Sequence, residues 1–85
     1  MCLAVPGKIL ETAERDGSRV GKLQFGGLTR QAYLDFVPEA VPGDYVIVHV
    51  GFAISLVDEV EAKRTLRLLQ SMGMVEEELG PQELP

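Results

Sequence analysis

Residues 43–53 read Gly43-Asp44-Tyr45-Val46-Ile47-Val48-His49-Val50-Gly51-Phe52-Ala53. The run Tyr45–Val50 is apolar on both faces of a two-residue period, apart from His49, and is rich in β-branched residues. It predicts a central strand covered on both sides. Gly51 interrupts the run, and Phe52–Val57 supplies a further short strand. This stretch decides the fold because the same strand pattern extends upstream of it and stops just after it.

From Ala4 to Val57 the chain consists of short β-branched or alternating runs separated by turn residues. A first strand is predicted over Gly7–Glu14. Arg15-Asp16-Gly17-Ser18 carries Asp-Gly at its centre and predicts a hairpin turn. Val20–Phe25 is the return strand, with Val20, Lys22 and Gln24 facing opposite to Leu23 and Phe25. Gly26-Gly27 makes the next turn. In a third strand Leu28, Arg30, Ala32, Leu34 and Phe36 alternate with Thr29, Gln31, Tyr33 and Asp35. Residues 37–44, with Pro38, Pro42 and Gly43, read as a loop.

After Val57 the period changes. Asp58 and Glu61 have capping-box spacing, and acids in a first turn suit the helix dipole. Ala62, Leu66, Leu69 and Gly73 share one helical face, with Thr65, Leu68 and Met72 beside it and Lys63, Arg64 and Arg67 outside. Glu59 and Lys63 form an i,i+4 pair in the favoured orientation, and Gly73 is the C-terminal cap. The expected fold is mainly β: five short strands in a meander forming a small, partly open barrel, with a C-terminal helix packed against it. Residues 1–74 hold the barrel and helix, and residues 75–85 are an acidic tail.

The 85 residues are enough for one domain with a modest core. That core must be aliphatic, since the chain has no Trp, two Tyr and three Phe. A single cysteine excludes an internal disulfide and points to a reducing compartment, the cytoplasm. No basic region followed by an apolar one marks a signal peptide, and no apolar run approaches the roughly 20 residues of a membrane span. Thirteen acids against eight bases give a net charge of −5, which disfavours binding to nucleic acid through its phosphates. Glu76, Glu77, Glu78 and Glu83 crowd the end of the chain, where an acidic run acts as a solvating tail.

Two residues could carry chemistry. Cys2, the only cysteine, becomes N-terminal once Met1 is removed, and the neighbouring ammonium then favours the thiolate that binds metals. The plain alternative is a half-buried thiol serving as a small hydrophobe. His49, the only histidine, can bind a metal or accept a proton near pH 7, or it can be a hydrogen-bonded core residue. One thiol and one imidazole cannot supply the four ligands of a structural zinc site. A terminal cysteine has no rigid scaffold for nucleophilic catalysis beside an oxyanion hole. An incomplete metal site that a partner must complete points to a carrier or assembly factor and not to an enzyme.

Met1-Cys2-Leu3-Ala4-Val5-Pro6-Gly7-Lys8-Ile9 and residues 43–53 together resemble the HypC/HupF family of [NiFe]-hydrogenase maturation chaperones, over roughly residues 1–74. The resemblance implies an OB-type barrel with a C-terminal helix. It implies a complex with the iron–sulfur protein HypD, on which an Fe(CN)2(CO) unit is assembled, and delivery of that unit to the precursor of the hydrogenase large subunit. The cyanide ligands would come from HypE–HypF, so this chain's contact with that pair is indirect. The iron unit is a transient cargo, and no permanent cofactor is implied. The essential cysteine of the family maps to Cys2 and its motif histidine to His49, which either ligates the metal or tunes the Cys2 thiol. Partner contacts are expected at Cys2, Leu3, Pro6, Gly7, His49, Gly51 and Phe52. Low-spin Fe(II) with strong-field ligands suits a soft thiolate, and a thiol at a chain end can pass from one partner to the next. The rival reading is a docking adaptor between HypD and the precursor that never touches iron.

Overall fold

Five strands and one helix follow in chain order in the computed structural model, which describes residues 5–73. They are β1 (Val5–Arg15), β2 (Ser18–Phe25), β3 (Leu28–Tyr33), β4 (Tyr45–His49), β5 (Phe52–Val57) and α1 (Glu59–Ser71). The β1–β2 hairpin turns at Asp16 and Gly17, both with positive φ (53° and 84°), as the primed turn of an Asp-Gly pair requires. The β1–β2 register is irregular between Ile9 and Glu11. Such an irregularity bends a strand, and here β1 serves two neighbours: Val5–Lys8 pairs with β4, and Lys8–Arg15 with β2. Gly7 sits on the first of these stretches because a Cβ there would lie 2.5–2.9 Å from ring atoms of Phe25, itself buried in the core.

The strands close into a barrel in the order β1-β2-β3-β5-β4. The expected five-stranded barrel is present, but it is closed, and the meander stops at β3. The loop after β3 carries the chain across to β4, and β5 returns between them to meet β3 in parallel at Tyr33 and Phe52. Val5, Ile9, Leu23, Phe25, Ala32, Leu34, Val46, Val48 and Ala53 fill the interior, joined by Leu69 from the helix. β4 has neighbours on both sides, as a central strand should. Its faces are unequal, however: Val46 and Val48 are buried, while Tyr45, Ile47 and His49 are only half-buried.

Two predicted faces differ from the structure. The third strand ends at Tyr33, so the alternation does not carry to Phe36, which is 66% exposed. The cause is the hydrogen bonding: Tyr33 N–H donates to Gly51 and Leu34 N–H to Arg19 (2.9 and 2.8 Å), and the chain turns at Asp35 and Phe36. Val20, placed with Lys22 and Gln24 by alternation, is buried between its cross-strand neighbours Ala13 and Tyr33.

The loop between β3 and β4 contributes Val37 and Ala40 to the core. Arg19 holds it there, its guanidinium donating to the carbonyls of Val37, Pro38 and Ala40. At the far end of the loop, Gly43 N–H donates to Ile9 and Ile9 N–H to Asp44 (2.8 and 2.9 Å), which ties the loop to β1.

Asp58 caps α1, its carboxylate accepting from the backbone N–H of Val60 (3.0 Å) and Glu61 (3.4 Å). Glu61 pairs with Arg64 at 3.4 Å. The helix ends with Met72 at the C-cap and Gly73 in the left-handed region (φ 70°), the residue type that tolerates it. Ala62 and Leu69 are buried, whereas Leu68 and Met72, expected beside that face, are more than half exposed. The Glu59–Lys63 pair forms at 2.8 Å. The Lys63 hydrogen bond lowers the Glu59 pKa, and the same bond raises that of Lys63. The contribution of this exposed pair is small, and it is lost as pH falls through the Glu59 value or rises through the Lys63 value.

Two substitutions test this account. Gly7→Ala forces a methyl against a buried ring with no room to move, and should cost about 1–3 kcal/mol in a denaturant melt. Asp58→Ala should cost about 1 kcal/mol by removing the helix cap. A Gly7→Ala chain as stable as the parent would show that the Phe25 ring is not held where the structure has it.

Candidate functional site

The start of β1, the end of β3, the end of β4 and the start of β5 meet at one end of the barrel. Val5 lies opposite Val48, His49 opposite Phe52, and Tyr33 opposite Phe52. The motif residues at the start of β1 and those around the β4–β5 turn are therefore neighbours in the sheet, though more than forty positions separate them in sequence.

His49 is the last residue of β4, half-buried, on the face shared by Tyr45 and Ile47. No polar or charged residue is buried among the described ones, so the reading of His49 as a core histidine does not hold. Gly51 takes φ 83°, and its carbonyl accepts from Tyr33 N–H at 2.9 Å. The bend expected at this glycine is present, and so is the close backbone approach.

Val50 occupies the turn with φ 51° and is 64% exposed. A β-branched residue in the left-handed region is an outlier, and the conformation costs about 1–2 kcal/mol. Beside it Phe52 stacks on Tyr33, with ring centroids 5.2 Å apart, and Phe36 tilts against Phe52 at 5.8 Å. A cleft of about 370 Å³ opens on this end, lined by Arg15, Asp16, Ser18, Tyr33, Asp35 and Phe52. The Asp35 carboxylate accepts from the backbone N–H of Arg19 at 3.1 Å.

Of the residues singled out in the sequence, His49, Gly51 and Phe52 share this end. Pro6 and Gly7 are buried in β1 just inside it. Cys2, Leu3 and the acidic tail with Glu76, Glu77, Glu78 and Glu83 lie outside the described residues. Among the described residues no three His, Cys, Asp or Glu side chains group to hold a metal ion, and no helix is long and apolar enough to cross a membrane. Sequence reasoning missed Val50, Tyr33 and Phe36. Composition holds no signal for them; it is the structure that brings together three of the five aromatic residues, Tyr33, Phe36 and Phe52.

Residues 1–69 match the model of the HupF/HypC family. The chain is 49% identical over 76 residues to the hydrogenase maturation factor HypC of Synechocystis sp., an alignment covering 87% of this chain and 100% of that protein. It is 41% identical over 76 residues to HypC of Cupriavidus necator, covering 89% and 81% respectively. To the hydrogenase maturation factor HybG of Escherichia coli it is 40% identical over 76 residues, covering 85% and 92%.

Proposed function

The chain belongs to the HupF/HypC family of hydrogenase maturation factors, and we propose that it carries an Fe(CN)2(CO) unit on Cys2 between HypD and the precursor of the [NiFe]-hydrogenase large subunit. In this reading it works in the cytoplasm as a chaperone and not as an enzyme. It docks on HypD while the iron unit is assembled, receives the cyanide supplied by HypE–HypF only indirectly, and then docks on the precursor.

The observation that carries the reading is the pairing of Val5 with Val48. Cys2 precedes Val5 by three residues, a chain length of at most about 11 Å, and His49 directly follows Val48. One imidazole therefore lies within reach of the thiol. The thiolate, freed of its proton after Met1 is removed, is a soft donor that suits low-spin iron. His49 accepts the thiol proton and braces the turn at Gly51 and Phe52, a role that needs no open coordination position on the metal.

Cys2→Ser replaces a soft, ionisable donor with a hard hydroxyl of similar shape. Purified with HypD, the wild-type chain should show cyanide and carbonyl stretching bands in the infrared. Cys2→Ser should lose them with an unchanged melting temperature. Bands that survive in the serine variant would leave the chain as a docking adaptor. For His49→Ala, the rate of Cys2 alkylation by iodoacetamide should shift to higher pH, iron loading should fall without vanishing, and stability should change by at most about 1 kcal/mol. An unchanged labelling profile with complete loss of iron would make His49 a ligand.

A further inference from the structure

The cleft of about 370 Å³ sets two carboxylates, Asp16 and Asp35, and one cation, Arg15, around the stacked rings of Tyr33 and Phe52. Asp35 accepts one hydrogen bond through Oδ1, from the Arg19 backbone N–H at 3.1 Å. Its Oδ2 accepts none from the described residues, and neither Asp16 nor Asp35 is ion-paired among them. Carboxylates attract a cation through its charge, and aromatic faces attract the same group through their quadrupole. The chemistry these walls share is recognition of an ammonium group.

The strand register points to the source of that ammonium. β1 pairs antiparallel with β4, Val5 opposite Val48 and Pro6 opposite Ile47. Carried three residues upstream, the same register sets position 2 level with position 51. The Gly51 carbonyl accepts from Tyr33 N–H at 2.9 Å, and Phe52 follows Gly51, so both rings of the cleft belong to residues at that level. Three residues span at most about 11 Å. An amine tethered so closely is presented to the cleft at an effective concentration of about millimolar. It also has less translational freedom to lose than a cation from solution.

We propose that in the free protein the α-ammonium of Cys2 rests in this cleft, on the carboxylates of Asp35 and Asp16 and beside the rings of Tyr33 and Phe52. The inference rests on the carrier reading above for the removal of Met1, which leaves the ammonium on Cys2. Asp35 is then a positioning residue: it holds the chain end, and the thiol with it, at the strand end where His49 stands opposite Phe52. An exposed ion pair contributes little, so the end can be drawn out of the cleft when the thiol is needed elsewhere.

The test uses the full chain without partners. Intact mass should show Met1 removed, and a retained Met1 would overturn the proposal. The first readout is acetylation of the α-amine at pH 7, measured by mass spectrometry with the thiol reversibly blocked. Neighbouring carboxylates raise the pKa of an amine and keep it protonated. Asp35→Asn retains an acceptor for the Arg19 N–H but removes the charge, so it should speed acetylation about threefold at an unchanged melting temperature. Asp16→Asn, at a turn position with φ 53° that Asn tolerates, should act in the same direction. The second readout is position. In Ser18→Cys, glutathione disulfide should close a bond from Cys2 to the new cysteine about tenfold faster than in Ser71→Cys, at the end of α1. Adding Asp35→Asn to Ser18→Cys should slow closure about threefold. Acetylation and closure rates indifferent to both aspartate substitutions would overturn the proposal and leave the cleft to a cation from another molecule. Cyanide and carbonyl bands on such an indifferent chain would leave the carrier reading standing without this anchor. An anchored end on a chain that never shows those bands would keep the anchor and defeat the carrier reading.

Discussion

The barrel depends on one parallel bridge. β1, β2 and β3 form an antiparallel run, and β4 and β5 a second hairpin. The β1–β4 ladder joins them on one side. On the other side the junction is Tyr33 against Phe52, with Tyr33 N–H donating to the Gly51 carbonyl at 2.9 Å. That carbonyl reaches β3 only if the chain reverses within two residues after His49. Val50 and Gly51 accordingly both take positive φ, and the stacked rings of Tyr33 and Phe52 cover the seam. Closure, backbone strain and aromatic exposure thus have a common cause at this end of the molecule.

Local signals in the sequence were sufficient where the structure is local. Asp16-Gly17 formed the predicted hairpin, Phe52–Val57 the predicted strand, and Asp58 the predicted helix cap, because each depends on backbone preferences a few residues wide. What was not legible depends on contacts distant in sequence. Alternation carried the third strand to Phe36, but the backbone partners of Tyr33 and Leu34 lie at Gly51 and Arg19, and the strand ends where they lead it away. Arg19 reads as one more charge on a hairpin, and nothing near it announces that it clamps a loop some twenty residues on. Val50 is the clearest case: a β-branched residue argues for strand, so its position in a left-handed turn contradicts its own propensity. Of the candidate site, the two motifs were visible as residues, while their meeting at one end follows from the Val5–Val48 register.

The two ends of the barrel are unlike. Toward one, α1 lies across the sheet: Leu69 enters the core, and Gln70 packs so close to Gly26 that a Cβ there would collide with its amide. Toward the other stand the β4–β5 turn with the exposed Val50 and, in the loop after β3, the exposed Phe36. The interior between them is packed with aliphatic side chains and Phe25, so a five-stranded barrel of this size keeps no chamber for a ligand. A small closed barrel therefore works from its outer surface, and among the described residues the rim at the β4–β5 turn lies away from the helix. On that rim the proposed carrier function makes two demands: a donor that can leave with its cargo, and a fixed surface that tells partners apart. In that reading Cys2, three residues before β1 in sequence, suits the first demand, since a cargo bound there need not disturb the ladder that begins at Val5. A turn locked by barrel closure suits the second, because a surface that loses little conformational freedom on docking spends less of its binding energy on ordering.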